Sequence, residues 1–308
     1  LLQLVHDTRY DYSAPVENAH HVACLRPADD ASQQVISHAL EISPQPAHQR
    51  ELKDVYGNSR HYFSLHSSHG YLQVRARSLV RTQALQEPDP PDSLPWEQLR
   101  QHGQYRAGAA SDAATEFAYG SPCAPRDEAF AEFARPSFTA GRPVAEAAWD
   151  LMVRIHAHMR YESLSTEVNT PALLALKQGK GVCQDFAHIL VACCRSLGLP
   201  ARYVSGYMLT TPPPGQPRLV GSDASHAWAS VYCLPADGTS QDLAGGRGAY
   251  WLDLDPTNRR RPGEDYVRLA TGRDFLDVSP LRGVIQGGSS HRLSVGVTVS
   301  PVEPETQA

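Results

Sequence analysis

The sequence predicts an α+β fold, in which a small antiparallel β-domain precedes a core of helices and strands. Residues 72–80 alternate apolar and polar side chains, the two-residue period of a half-buried strand. Residues 144–159 repeat apolar side chains at helical spacing. Strand-like segments then return at 201–209, 226–234, 250–255 and 291–299. An order of strands, helices and strands is typical of α+β proteins rather than of alternating β–α–β units.

The 308 residues are long enough for two domains. We predict an antiparallel β-domain at residues 1–85, a linker with short helices at 86–140, and a core with a C-terminal strand at 141–308. The linker contains the acidic, proline-rich residues 87–95, which favour a solvated segment. Helix N1 positions are predicted for Pro143 and Pro171.

The net charge and the cysteine content indicate which binding partners and which cellular compartment to expect. A net charge of −5 argues against a nucleic-acid or anionic-membrane surface. No apolar run approaches the roughly 18–20 residues that span a bilayer. The first ten residues carry charge too early for the apolar region of a signal peptide. The six cysteines form no CxxC pair and no regular framework, so we expect a reduced, cytoplasmic protein.

Three of the six cysteines lie in one predicted helix, which should end at Gly198 as the C′ residue. Cys193 and Cys194 lie in its middle, about 15–17 Å along the axis from Cys183, which is too far for a disulfide with it. They are flanked by alanine and valine, so we expect them to be core residues. Cys183 opens the helix, where unpaired N–H groups and the macrodipole favour a thiolate. It is either a nucleophile or a buried cysteine at a helix start.

A thiolate nucleophile needs a base, and the base needs a group that orients it. His226 begins one predicted strand, and Asp255 ends the next. We expect these strands to pair with His226 opposite Asp255, which leaves the turn-prone residues 244–248 in the connection. Asp253 shares the same strand face, so the spacing alone leaves both acids open.

The segments GVCQDFAHILVACCRSLGLPARYVSGYM, SHAWASVY and WLDLDPTN resemble the transglutaminase-like superfamily, which uses papain-like thiol chemistry. The resemblance implies a central helix packed on an antiparallel sheet. It also implies a triad of Cys183, His226 and Asp255, rather than Asp253. The N-terminal segments HDTRYDYSAPV, CLRPADD and DVYGNSRHYFSLH resemble the β-domain that precedes this core in bacterial members. Tyr161 resembles the family's aromatic oxyanion position, and Trp228 is expected to form a wall of the site.

The resemblance implies a thioester formed from a peptide or protein amide, with no cofactor. We expect hydrolysis rather than transamidation, because the polar loop at residues 211–223 leads into His226 and could leave the site open to water. Aromatic residues counted near the triad are Tyr161, Tyr207, Trp228 and Trp251. The alternatives are a protein-glutamine transamidase and a non-catalytic binding module. The sequence leaves the oligomeric state open.

A metal protein is a further alternative, because four histidines occur in two close pairs: His20 and His21, and His156 and His158. Residues two apart on a helix point away from each other, however, and no H-E-x-x-H or CxxC spacing is present. The sequence therefore favours thiol chemistry over metal chemistry.

Overall fold

A computed structural model describes residues 1–84, 92–104, 107, 112–163, 165–166, 169–210, 225–236 and 248–302. Three segments considered above lie wholly or partly outside these ranges: the linker at 87–95, the loop at 211–223 and the turn at 244–248. In the part of the chain that is described, no helix is long and apolar enough to cross a membrane.

The N-terminal 82 residues form most of a seven-stranded antiparallel sheet. Its N-terminal strands are β1 (Leu2–Ala23), β2 (Gln33–Ser43), β3 (His48–Lys53), β4 (Ser59–Leu65) and β5 (His69–Thr82). In β5 the predicted alternation is confirmed, since Leu72, Val74, Ala76 and Val80 are buried while their neighbours are more exposed. The strand order is β2-β5-β1-β4-β3.

The long strand β1 organises this sheet. Its first half pairs with β5, and the register shifts between Asp11 and Val16. Its second half, from Ala19 to Ala23, pairs with β4. The second half of β1 packs in one cluster with Leu72 and Phe63, whereas Leu2 and Leu4 at its start pack in a different cluster. One strand therefore contributes to two apolar clusters.

The helices follow the N-terminal strands of this sheet in the chain, and the last of them packs on the core sheet described below. They are α1 (Trp96–His102), α2 (Glu128–Ala134), α3 (Val144–His158), α4 (Ala172–Gln178) and α5 (Cys183–Ser196), with 3₁₀ turns at Ala113–Ala118 and Arg135–Ser137. The N1 predictions for two prolines are wrong by one position: Pro143 and Pro171 are N-cap residues with extended ψ values of 139° and 132°. Proline fits there equally well, since the cap position also needs no amide donor inside the helix.

The core sheet contains β8 (Ala201–Met208), β9 (Ser225–Cys233), β10 (Tyr250–Leu254) and β11 (Tyr266–Gly272), after the two-residue strands β6 (Arg160–Tyr161) and β7 (Lys180–Gly181). The order β10-β9-β8-β11 is antiparallel throughout. Helix α5 packs against β8 and β9 and is buried at every position from Asp185 to Arg195. It ends as predicted, because Gly198 follows with φ of 81°.

The last strands do not belong to the core sheet. After the short helix α6 (Phe275–Val278), β12 (Leu281–Gly287) and β13 (His291–Pro301) both pair with β1. The sequence analysis assigned this segment to the core domain, and that assignment is wrong. Alternation identifies the buried face of a strand but carries no information about its hydrogen-bonding partner, which here lies almost 300 residues away in the chain.

Candidate active site

Cys183 is the first residue of α5 and is partly buried. The side chain of Asp185 caps the helix by accepting a hydrogen bond from the N–H of Val182 at 2.8 Å. Gly181 is required for this arrangement, because a Cβ there would lie 2.6 Å from Asp185 Oδ2. The residues before the helix are therefore held in one conformation. The Cys183 thiol lies at the positive end of the helix macrodipole. Its Sγ lies 4.0 Å from the carbonyl oxygen of Ser225.

His226 lies next in the chain to that carbonyl, near the start of β9, and it is 8% exposed. One ring nitrogen, Nε2, is 2.6 Å from Asp255 Oδ2. The Cys183 side chain lies close enough to the imidazole to raise its pKa. Because Nε2 is used by Asp255, the nitrogen available to the thiol is Nδ1. The structure thus brings the three predicted triad residues together in the order Cys183, His226, Asp255.

The strand register differs from the prediction by two residues. Tyr232 pairs with Trp251 rather than with Ala249, and Leu254 pairs with Ala229. A shift of two keeps every side chain on its predicted face, because the strand period is two. His226 and Asp255 consequently meet diagonally across the strands instead of directly opposite each other.

Asp255 is fully buried and is surrounded by donors. Its Oδ2 accepts from His226, from the Tyr266 hydroxyl at 2.6 Å and from Asn258 Nδ2 at 2.7 Å. Its Oδ1 accepts from the backbone N–H groups of Thr257 and Asn258 at 2.9 and 3.2 Å. A buried carboxylate with this many donors is satisfied as an anion and held in one orientation.

These contacts raise the pKa of His226 and lower the pKa of Asp255. Burial by itself would lower the pKa of His226, but its hydrogen bonds to Asp255 and Cys183 and their charges raise it from 6.5 to about 9. Burial opposes ionisation of Asp255, but the hydrogen bond and charge of His226, with Tyr266 and Asn258, lower the pKa of Asp255. Near neutral pH these shifts favour an imidazolium at His226 beside a carboxylate at Asp255.

Asp253, the other candidate acid, serves a different part of the molecule. It accepts from Ser230 Oγ and pairs with Arg268. The structure connects it to no triad residue among those described. Asp253 and Asp255 lie on the same strand face, but different side chains lie next to each of them.

Cys193 and Cys194 are core residues, as predicted, with 0% exposure. Burial raises the pKa of the Cys193 thiol well above its usual value and raises the pKa of Cys194 to about 12. All six cysteines are free. Of the cysteines in α5, Cys183 is the one that lies beside the His226 imidazole.

The aromatic residues expected near the triad separate into two groups. Trp228 is buried and stacks on His226, with ring centroids 6.3 Å apart. Tyr161 lies on β6, where it pairs with Gly181 two residues before the thiol, and its side chain is half exposed. Tyr207 instead hydrogen-bonds His6 of β1, and Trp251 lies under the guanidinium of Arg202.

Tyr266 and Asn258 complete the site, and the sequence analysis missed both. Asn258 follows the DPT residues directly, so its proximity to Asp255 could have been suspected from spacing. Tyr266 begins β11, eleven residues after Asp255, and no sequence signal places its hydroxyl on that carboxylate. Its ring also contacts both His226 and Trp228 edge to face.

The histidines considered as metal ligands have other contacts. His156 Nδ1 lies 3.1 Å from the carbonyl oxygens of Pro256 and Thr257, and His158 Nε2 lies 2.8 Å from that of Leu176. Across the described ranges, no group of three or more metal-binding side chains is arranged to hold a metal ion. His156, on α3, therefore holds residues 256–257, which directly follow Asp255, close to that helix.

Comparison with known proteins identifies the family of this chain. The bacterial transglutaminase-like N-terminal region matches residues 2–81, and the transglutaminase-like superfamily matches residues 131–256. An uncharacterized Mycobacterium tuberculosis protein is 37% identical over 309 residues, covering 98% of this chain and 93% of that one. An uncharacterized Mycobacterium leprae protein is 30% identical over 306 residues, covering 97% and 98%. The chain therefore belongs to the transglutaminase-like superfamily.

A solved structure extends the likeness to the whole fold. A Cytophaga hutchinsonii protein described as a candidate cysteine protease superimposes with a TM-score of 0.70, covering 99% of this chain and 92% of that one. The two sequences are 19% identical. The α+β architecture, with its N-terminal sheet and transglutaminase-like core, is thus shared with that protein.

Proposed function

We propose that this protein is a thiol-dependent acyl-transfer enzyme that acts on amide bonds, with Cys183 as nucleophile, His226 as acid and base, and Asp255 as the group that orients His226. The observation that supports this proposal most strongly is the position of the imidazole. It lies close enough to the Cys183 side chain to have its pKa raised by it, and its Nε2 is 2.6 Å from a fully buried carboxylate.

In the first half-reaction the Cys183 thiolate attacks the amide carbonyl carbon, and the carbonyl oxygen becomes an oxyanion. The backbone N–H of Cys183 at the helix start is our proposed oxyanion donor, with the half-exposed Tyr161 hydroxyl as a second. The C–N bond then breaks as the His226 imidazolium gives its proton to the leaving amine. The products are a free amine and a thioester on Cys183.

In the second half-reaction His226, now neutral, takes a proton from water as the water oxygen attacks the thioester. The C–S bond breaks, the carboxylic acid leaves, and the thiolate–imidazolium pair is restored. Trp228 forms part of the wall beside His226 in this proposal. An amine in place of water would give a new amide, which is transamidation.

We propose hydrolysis as the main outcome, with a peptide or protein amide as substrate. Transamidation requires a channel that admits an amine and excludes water. The described residues contribute one aromatic contact to His226 from Trp228 and one from Tyr266, whereas Tyr207 and Trp251 lie elsewhere. Trp228 and Tyr266 together are enough to form one wall of such a channel.

The test follows the fate of the thioester. Peptide and glutamine-amide substrates would be incubated with and without a millimolar primary amine, and free acid and amide products would be quantified by mass spectrometry. We expect free acid to dominate in wild-type protein and both products to be absent with Cys183→Ala. Dominant amine incorporation would instead identify a transamidase. Equal turnover by wild type and Cys183→Ala would refute thiol catalysis altogether.

We also propose a reducing compartment, the cytoplasm, as the site of action. All six cysteines are free thiols, and two of them lie side by side in the core without forming a bridge. Fractionation of the native host, with detection of the full-length protein in the soluble cytoplasmic fraction, would test this; recovery from an oxidising compartment would refute it.

A further inference from the structure

A cavity of about 430 Å³ lies where helices α1 and α2 meet the C-terminal end of α5. Ser196 and Leu197, at the end of α5, line it, whereas Cys183 opens the same helix. A helix of 14 residues spans about 21 Å, so the cavity is separate from the proposed triad. Its volume is typical of a small-molecule site. We propose that this cavity binds a phosphate monoester that carries one flat ring.

Two arginines that line the cavity have no counter-charge. Arg100 of α1 and Arg126, which precedes α2, make no side-chain hydrogen bond or ion pair with any residue that the structure describes. A Cβ at Gly198 would lie 3.4 Å from Arg100 Cγ and 3.6 Å from its Nε, so the Arg100 guanidinium lies beside the end of α5. Charges of one sign around a concave surface raise the potential inside it. An anion in the cavity would therefore lie near two cations whose N–H donors are not already used within the described part of the chain.

Helix stability does not account for both of these charges. Arg100 is in the last turn of α1, where a cation complements the negative end of the helix dipole. Arg126 directly precedes Asp127, the N-cap of α2, where a positive charge opposes the dipole. The position of Arg126 is therefore unfavourable for the helix, and a bound anion would offset that effect.

The other charged residues of the wall pair with each other. Arg135 donates to Glu128 Oε1, and both line the cavity. Three arginines and one glutamate thus leave two positive charges among the lining residues. The nearby carboxylates of Glu97 and Asp127 do not line the cavity, and each accepts from a backbone N–H group. A phosphate monoester carries roughly two negative charges at pH 7 and matches the planar donors of arginine. A carboxylate would leave one positive charge uncompensated.

The apolar part of the wall accounts for the ring of the ligand. Trp96 and Phe138 line the cavity and pack edge to face, with ring centroids 5.9 Å apart. The Trp96 Nε1–H donates to the carbonyl oxygen of Thr139 at 3.0 Å, which holds the indole in place. Ala131 and Leu197 add aliphatic surface. A flat ring can pack on these side chains in the cavity that the arginines also line, and phenyl phosphate is a convenient probe of this class.

Binding would be measured by isothermal titration calorimetry on the full chain with phenyl phosphate, inorganic phosphate and benzoate. We expect one saturable site for phenyl phosphate. Benzoate keeps the ring but carries a single charge, and inorganic phosphate keeps the charge but has no ring. Each should therefore bind at least about tenfold more weakly than phenyl phosphate, since a charged hydrogen bond or a buried ring contributes about that much.

Two variants test the arginines separately. Arg100→Gln and Arg126→Gln each remove one charge at an exposed position, and each should weaken phenyl phosphate binding about tenfold. The matched control is Arg50→Gln, because Arg50 is also exposed, has no ion pair among the described residues and does not line this cavity. The control should keep the wild-type affinity. Urea unfolding of all three variants would verify that each one folds.

Four results would each overturn the proposal. They are no saturable binding of phenyl phosphate to the wild type, equal binding of benzoate or inorganic phosphate, an equal loss in Arg50→Gln, and unchanged affinity in both Arg100→Gln and Arg126→Gln. Cys183→Ala should bind phenyl phosphate normally, because the cavity lies at the other end of α5. Failure of the proposed catalysis would therefore leave this result unaffected.

Discussion

The first turn and the middle of helix α5 place the same side chain in opposite settings. At the first turn Cys183 is partly buried, contacts the His226 imidazole and lies at the positive helix end. In the middle Cys193 and Cys194 are enclosed by apolar side chains, and burial raises their pKa values. The comparison teaches that the setting of a cysteine here depends on its position along the helix, because the terminus alone combines partial exposure with unpaired backbone N–H groups.

The largest effect is expected at the first turn. Cys183→Ala should reduce turnover of any amide substrate by at least about 10⁴-fold, as removal of the nucleophile does in comparable triads. Its unfolding free energy should change by less than about 1 kcal/mol, since the side chain lies at a helix mouth rather than in the core. Steady-state assays and urea unfolding measure the two quantities.

The matched control for that variant is Cys194→Ala. It should keep turnover near the wild-type value while losing roughly 1–2 kcal/mol of stability through the cavity that it leaves. A large activity loss in Cys194→Ala, or none in Cys183→Ala, would contradict the assignment of roles along the helix.

The second effect concerns stability in the middle of the helix. Cys194→Asp should lose roughly 3–5 kcal/mol or more, because it moves a charge out of water into a fully enclosed position. That is a large part of the roughly 5–15 kcal/mol that stabilises a typical domain. We expect the variant to be unfolded or aggregated by circular dichroism at neutral pH. A cooperative unfolding transition near that of wild type would show that the helix middle is less enclosed than the structure indicates.

A third prediction compares the two acids on β10. Asp255→Asn should lower the pKa of His226 from about 9 by at least one unit, because burial then acts without the opposing carboxylate. Asp253→Asn removes a partner of Arg268 and Ser230, so it should leave the pKa of His226 unchanged. NMR titration of histidine-labelled protein measures both. Equal shifts in the two variants would mean that the acids act through a common field rather than through the hydrogen bond.

The same shift has a consequence for stability. Because the pKa of His226 is raised on folding, protonation of His226 stabilises the folded state. This contribution to the unfolding free energy is fully present below pH 6.5 and is lost as the pH rises to about 9. The full contribution corresponds to about 3 kcal/mol for a shift of this size. Urea unfolding at several pH values should therefore show a decline over this window that is weaker in Asp255→Asn. A variant with an unchanged slope would contradict the linkage.

The smallest effect is a difference in labelling. Iodoacetamide at mild pH should label Cys183 first, while Cys193 and Cys194 should react only after denaturation, because their thiols are enclosed and remain protonated. All six cysteines should titrate as thiols in denaturant without reductant. Peptide mapping by mass spectrometry reads both results. A recovered native bridge, or first labelling at Cys193, would contradict them.

Much of the site could be predicted because its chemistry is local in sequence. The helix start at Cys183, the helix end at Gly198 and the core role of Cys193 and Cys194 follow from capping signals and apolar periodicity. The face shared by His226 and Asp255 follows from strand parity, which survives the register shift of two residues. Choosing Asp255 over Asp253 required the family resemblance.

The remaining features depend on partners that are distant in sequence. Pairing of β12 and β13 with β1, the Tyr266 hydroxyl on Asp255, and the contact of Tyr207 with His6 all join residues that no local pattern relates. The sequence by itself determined which segments are helices or strands, which faces are buried and which residue types can react, since these follow from short-range periodicity and chemistry. Tertiary structure alone decided which strands pair and which donors reach each carboxylate, because backbone hydrogen bonding is nearly independent of side-chain identity.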